Sequence, residues 1–211
     1  MSATTSSHNP LVQIYKSRSN MLKILQQVYG YNTDNYTGFS IAEVDIMEKN
    51  EQLDILLTSG DIPKIYLKYY LTKALNLKDL QQMVEDLFVN TDTLKKEDCL
   101  CIIYGGEPNE SLYKHLEYFW NRENYFIVVL NIKRLQFNIL EHQFTPDLTI
   151  LSPEEVSSLK LKLNIDTLDK LPEISRYDPL ALSICLRPGQ VCKFMRKSPT
   201  CLEAPYYRHC V

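Results

Sequence analysis

The run Leu171–Ser198, LPEISRYDPLALSICLRPGQVCKFMRKS, gathers Arg, Lys, Asp and two cysteines around an Arg-Pro-Gly turn. These residue types could hold a metal, activate a nucleophile, meet phosphate or dock another protein. Zinc sites usually present their ligands in close CxxC-type pairs. The six cysteines, Cys99, Cys101, Cys185, Cys192, Cys201 and Cys210, contain no such pair. A set of Cys185, Cys192, Cys201 and His209 would need long-range folding to assemble, and a free Cys is more often a small buried hydrophobe. The histidines, His8, His115, His142 and His209, never recur at i+3 or i+4, and no GxSxG is present. Nothing local therefore supports a Cys–His or Ser nucleophile. The loop YGGEPNE at Tyr104–Glu110 lacks GxGxxG spacing and a Lys-Ser/Thr pair, and its two acids would repel phosphate. Asp54 and Asp61 with Lys64 form the best candidate for a Mg²⁺-dependent nuclease, which is the alternative enzymatic reading. The simpler reading of that trio is ordinary surface charge.

The elements that must position these residues follow from periodicity. Leu11, Ile14, Tyr15, Met21, Leu22, Leu25, Val28 and Tyr29 recur at helical spacing and Gly30 closes the run. Lys16, Arg18 and Lys23 fall between them, as a solvated face or as a phosphate-facing edge. A polar loop, YNTDNYTGFS, precedes a short helix over Ile41–Glu48. Gln52–Ser59 and Lys64–Leu71 read as strands around a GDIP turn. Leu77–Phe88 and ESLYKHLEYFW read as helices, and CLCIIYGG and YFIVVL as buried strands. Alternating helices and strands to about residue 145 predict a layered α/β domain with a mixed sheet, over 11–145.

A boundary is expected near HQFTPDLTI. Ser152 with Glu155 forms a capping box, with Pro153 at the first helical position, and the helix runs to about Leu163. Asp178-Pro179 starts a second helix, RPGQ is a turn, and VCKFMRK and APYYRHCV read as paired strands. Residues 146–211 thus form a small α+β module, of a size that gains stability from a partner. Its strand would place Val191, Lys193 and Met195 on one face and Cys192, Phe194 and Arg196 on the other. A charge on each face fits docking. It also fits one buried face with ordinary exposed cations.

Bulk numbers narrow the function. The chain is 45% hydrophobic and 23% charged, an ordinary globular balance. Net charge is −3, unlike a free-standing nucleic-acid binder. The end is locally basic: Arg187, Lys193, Arg196, Lys197 and Arg208 stand against Glu203 alone. Apolar runs are strand-sized, far below the roughly 18 residues of a spanning helix. The start, MSATTSSHNP, reads as a disordered tail over 1–10 without a secretory pattern, which predicts an intracellular protein with reduced thiols.

From about Leu135 onward the sequence resembles the C-terminal module of the fifth-largest subunit shared by eukaryotic nuclear RNA polymerases, a family with an archaeal counterpart. Phe137–Glu155, FNILEHQFTPDLTILSPEE, is similar to that family's strand, His, Pro and helix-start pattern. LPEISRYDPLAL resembles its Leu-Pro-x-Ile…Asp-Pro segment, LRPGQVCKFMRKS its Gly-Glu/Gln-Val-Val-Lys-Ile-x-Arg-x-Ser strand, and Tyr207-Arg208 also fits. In the first 130 residues only SRSNMLKILQQVYGY stands out, similar to the family's first helix. The resemblance implies a non-catalytic polymerase subunit. Its C-terminal module would dock on the largest subunit, near the sixth-subunit homologue. Its N-terminal domain would form part of the lower jaw near the downstream DNA duplex. It further implies a chain without cofactor, Mg²⁺ and Zn²⁺ belonging to other subunits, with no membrane contact and no homo-oligomer. The docking residues it points to are His142, Pro146, Pro172, Asp178, Pro179, Gly189, Val191, Lys193, Arg196, Ser198, Tyr207 and Arg208. The DNA-proximal ones are Lys16, Arg18, Lys23, Pro108 and Asn109.

The departures matter. Glu107-Pro108-Asn109-Glu110 stands where the family carries Thr-Pro-Ser-Ala towards DNA, and its acids weaken a phosphate contact. The family's glycine after the Asp-Pro helix falls near Cys185, and its Gly-Arg-Tyr becomes Leu202-Glu203-Ala204. Such divergence fits a large DNA virus with its own cellular-type polymerase, or a fast-evolving cellular lineage. Location would be virion and host cytoplasm in the first case, nucleus in the second.

Overall fold

In a computed structural model the described residues are 9–60, 62–71, 74–197 and 200–211. The tail residues 1–8, with His8, and Asp61 and Ser198 lie outside them. The chain divides into two units at Phe137 and Asn138, earlier than the boundary expected near residue 145.

The first unit opens with helix α1, Pro10–Tyr29, where the apolar repeat required it. Asn9 caps it by accepting from the Leu11 N–H, Pro10 takes the first helical position, and left-handed Gly30 ends it. Met21, Leu22, Ile24 and Leu25 are buried. Helix α2, Ile41–Lys49, starts at a complete Ser40/Glu43 capping box. Strands β1 (Ile55–Ser59), β2 (Ile62–Tyr70), β3 (Cys99–Tyr104) and β4 (Phe126–Asn131) form one sheet in sequence order. β1 and β2 are antiparallel; β2–β3 and β3–β4 are parallel. Parallel neighbours need crossovers, and helices α3 (Leu77–Val84) and α4 (Glu110–Tyr118) lie in the two connections. This gives mixed α/β content with a mixed sheet, in line with the sequence.

Both crossover helices run on as π-helical turns, over Glu85–Asn90 and Phe119–Glu123, which the apolar spacing does not reveal. A wider turn shifts the side-chain register. Phe88, from the first, stacks on Tyr125 with ring centroids 4.3 Å apart. Residues of β3 and β4 are almost all buried, as expected of continuous apolar runs. The loop after β3 is tied by the buried Asn131, whose Nδ2 donates to the Gly106 carbonyl (2.8 Å) and to Glu107 Oε1 (2.9 Å). A Cβ at Gly106 would come within 2.7 Å of the end of the Tyr104 side chain, which would have to move to admit one.

The second unit holds a four-stranded sheet in the order β5–β7–β8–β6. The strands are β5 (Asp147–Ile150), β6 (Glu173–Ile174), β7 (Val191–Arg196) and β8 (Ala204–Cys210). β7 and β8 pair, as the sequence predicts, and run antiparallel. β5 and β6 are additions to that reading: the stretch expected to be a boundary supplies an edge strand beside β7. Helix α5, Pro153–Leu163, begins at the Ser152/Glu155 capping box. It packs Leu159 against Leu171 and Val191, and Leu151, Val156, Ile165, Leu168 and Tyr207 complete this core. The short helix α6, Pro179–Ser183, is capped by the Asp178 carboxylate, which accepts from the Leu180 N–H at 2.9 Å. Just beyond it Cys185 holds φ +51°. This left-handed backbone, which glycine adopts most readily, falls near where the family resemblance places a glycine. No helix among the described residues is long and apolar enough to cross a membrane.

Candidate docking site

β7 and β8 determine what each face of the second sheet presents. Opposite residues share a face, and the register pairs Cys192 with Arg208, Phe194 with Tyr206 and Arg196 with Ala204. Val191, Lys193 and Met195 pair with His209, Tyr207 and Pro205 on the other face. On the first face Cys192, Phe194 and Cys210 are buried, with Ile174 beside them. Their floor opens into a groove of about 230 Å³ walled by Pro146, Asp178 and Leu180 and rimmed by Arg196, Tyr206 and Arg208. The Arg196 guanidinium lies 5.1 Å and that of Arg208 5.5 Å from the Tyr206 ring centroid. Both distances are within cation–π range. Neither guanidinium is in an ion pair among the described residues. A second hollow of about 360 Å³ adjoins, sharing Pro146 and Arg196 and adding Phe144, Lys197 and Glu203. Phe144, in that hollow, is 80% exposed, and Leu202, elsewhere in the unit, 95%.

The opposite face is different. Lys193 and Tyr207 line a hollow with Glu154, Glu155 and Lys162 of α5, so two acids and a second lysine share it. Val191 lies beneath it in the core. The docking residues expected from sequence therefore separate. Pro146, Asp178, Arg196 and Arg208 come together in the groove; Lys193 and Tyr207 sit on the other face. Pro172 contributes its carbonyl, which accepts from the His209 N–H at 2.8 Å. Gly189, at φ +91°, makes the turn into β7 and donates its N–H to the Cys210 carbonyl. Pro179 opens α6 behind its Asp178 cap. His142 is exposed, its ring 5.6 Å from that of Phe144. Ile174, Leu180, Phe194 and Tyr206 are groove residues that sequence reasoning misses. For Tyr206 a signal exists, since it stands two residues from Arg208 and so on the same strand face.

The profile of the family described as "RNA polymerase Rpb5, C-terminal domain" matches residues 137–210, almost the whole second unit. The chain is similar to a Methanococcoides burtonii protein named DNA-directed RNA polymerase subunit Rpo5, 34% identical over 76 residues. That alignment covers 36% of this chain and 96% of the relative. The chain belongs to the Rpb5/Rpo5 family of RNA polymerase subunits. Proteins of the same name from Staphylothermus marinus and Thermococcus kodakarensis are 41% identical over 80 residues and 40% over 73. These alignments cover 38% and 35% of this chain, and 87% and 88% of the relatives. The Rpb5-type unit thus spans most of each archaeal relative, and the groove described above is built wholly from it. Membership is of a polymerase component rather than of a catalytic subunit.

The described residues considered for enzymatic chemistry in this Rpb5 family member, Asp54 and Lys64, are committed elsewhere; Asp61 lies outside the described residues. Asp54 accepts from Tyr66 OH (3.1 Å), Lys68 Nζ (3.0 Å) and the Tyr69 N–H (3.0 Å), so both carboxylate oxygens are engaged. Burial and that carboxylate push the Tyr66 phenol up to about 12. Lys64 turns its ammonium towards the Thr93 carbonyl and its N–H towards Asp98, 2.7 Å from Oδ1. Nothing in this arrangement supports the nuclease reading. The drawn zinc set also fails on geometry: Cys192 and His209 stand on opposite faces of the sheet. No three metal-ligating side chains come together among the described residues. Burial pushes the Cys192 thiol up to about 12 and that of Cys210 to about 11, so both are neutral thiols near neutral pH.

This burial makes a simple prediction. Cys201 is exposed whereas Cys99, Cys101, Cys185, Cys192 and Cys210 are buried. A thiol reagent at pH 8 is expected to modify one cysteine rapidly in the folded protein and all of them after denaturation. Cys201→Ser should abolish the fast phase; several fast thiols would contradict the burial.

The residues expected near DNA divide as well. Lys16 and Lys23 are exposed on α1. Arg18 is only 5% exposed and donates from Nη1 to the Leu53 carbonyl at 2.8 Å, with its guanidinium over the Phe39 ring. It is a core group, not a phosphate contact, because it lies on the buried stripe of α1. Asn109 caps α4 by accepting from the Leu112 N–H, and Glu110 pairs with Lys114. Pro108 lies between this cap and the tethered Glu107.

Proposed function

We propose that this chain is a non-catalytic subunit of a DNA-directed RNA polymerase. Its C-terminal unit docks on the largest subunit, near the sixth-subunit homologue, and its N-terminal unit forms part of the lower jaw near downstream DNA. One observation carries the reading: the C-terminal unit aligns with almost the full length of archaeal proteins named as polymerase subunit Rpo5. The physical form of that unit agrees with docking. It exposes Phe144 and Leu202 and holds two guanidiniums that form no ion pair among the described residues, as a surface awaiting a partner does. The jaw role supplies position rather than strong phosphate contact, since the acidic Glu107–Glu110 loop would repel a duplex backbone. The protein would be found with the transcription machinery.

The test is purification of the tagged full chain under native conditions from the organism that encodes it. Recovery of the largest polymerase subunit in stoichiometric amount is expected, with no nucleotidyl transfer or Mg²⁺-dependent DNA cleavage by the chain alone. A preparation that recovers no polymerase subunit would sink the proposal.

A further inference from the structure

We infer that the groove between Arg196, Tyr206 and Arg208 binds an acidic peptide segment of the partner, one that sets a carboxylate beside an apolar side chain. This inference deepens the docking reading and rests on it. The floor, Ile174 and Phe194, is buried and apolar, and Leu180 and Pro146 continue it up the walls. About 230 Å³ is room for a side chain with its adjoining backbone, not for a folded element.

The rim supplies the charge. Arg196 and Arg208 project from paired strands and both lie over the Tyr206 ring, at 5.1 and 5.5 Å. A guanidinium held over a ring still has its in-plane N–H donors available, and those donors match the two oxygens of a carboxylate. Holding the two forks on one aromatic plate reduces the side-chain entropy lost on binding. No carboxylate of the described chain fills this role. Asp178 is in the wall but accepts the Leu180 N–H as a helix cap and forms no ion pair among the described residues. Two further hollows differ: Lys193 and Lys162 share theirs with Glu154 and Glu155, and the pocket beside Arg18 holds about 60 Å³ next to a guanidinium already bonded to Leu53.

Charge also selects peptide over nucleic acid. A phosphate backbone carries charge at every step along its length. Here Asp178 stands in the groove, and Asp147 and Glu203 in its extension beside Lys197. A continuous polyanion would meet those acids. A peptide can place its carboxylate at the two arginines and its apolar side chain on the floor, with exposed Phe144 covering the flank.

The full-length chain would be titrated by fluorescence anisotropy against a labelled octapeptide with one Glu-Leu pair in a Gly-Ser background, with octalysine and an octathymidylate strand as comparisons. Saturable binding of the Glu-Leu peptide is expected, at least tenfold weaker in Arg196→Gln/Arg208→Gln and weakened by raising salt. Because charge reversal could disturb the strands, the Gln pair is the primary variant, and Arg196→Lys/Arg208→Lys, which keeps charge without the fork, should fall between. No peptide binding up to millimolar concentration, or equal binding by the Gln pair, overturns the inference. Tighter binding of octathymidylate, lost in the same variant, overturns it in favour of nucleic acid. Co-purification separates the two levels. If the wild type recovers no largest subunit, the docking reading falls and this inference with it. If the wild type and a folded Gln variant recover it equally, docking stands and the acidic segment does not.

Discussion

Replacing Arg18 with Ala is expected to lower the stability of the N-terminal unit by about 2–4 kcal/mol. Three costs add. The Leu53 carbonyl loses its buried donor at 2.8 Å, the Phe39 ring loses the cation over its face, and a space is left where the stem packed beside Leu22 and Val44. The charge itself is poorly accommodated. Burial lowers the Arg18 pKa, Tyr69 and Tyr36 act against that, and its Nε has no hydrogen-bond partner among the described residues. Arg18→Met, which fills the space without burying a charge, should therefore cost less than Arg18→Ala. Lys16→Ala and Lys23→Ala, on the exposed face, should change stability by no more than about 0.5 kcal/mol. Chemical denaturation of the four variants distinguishes the roles. A stable Arg18→Ala protein would return Arg18 to the phosphate-facing edge.

Arg18 also shows where local reading stops short. Ile14, Arg18, Met21 and Leu25 recur at i, i+4, i+7 and i+11, and all are buried. The period marks position 18 as interior, but the cation type argues for the surface. Periodicity is the better guide because a long side chain can bury its stem and head when one backbone carbonyl waits for it. The signals that read well are equally local. The Ser152/Glu155 box, the Asp178 cap and the continuous runs of β3 and β4 each need only a few neighbouring residues. What stays hidden is pairing. Asp147–Ile150 alternates exposed and half-buried residues over four positions, too short to show a period, and it becomes a strand only because β7 lies beside it. The groove has the same origin. Arg208 and Tyr206 share a face by spacing alone, but Arg196 joins them through the register of a different strand. A set of docking residues taken from family resemblance can therefore merge two faces of one sheet.

Val191→Asp tests whether the C-terminal unit acts as one cooperative body. Val191 is wholly buried, and Leu159 and Leu171 pack against it to hold α5 on the sheet. A unit of this size has a total stability of only about 4–11 kcal/mol. An unpaired carboxylate at that point costs several kcal/mol, roughly the whole reserve. The expected result is loss of protease resistance after Asn138 and loss of the polymerase largest subunit from native purifications. Val191→Ala, which removes only methyl groups, should cost roughly 1–3 kcal/mol and leave both intact. The comparison with the rim gives the experiment its force. Val191→Asp should remove docking by removing the fold, whereas Arg196→Gln/Arg208→Gln should weaken docking with protease resistance unchanged. If Val191→Asp unfolds the unit and the largest subunit is still recovered, the C-terminal unit is not what holds this chain to the polymerase, whatever its groove binds.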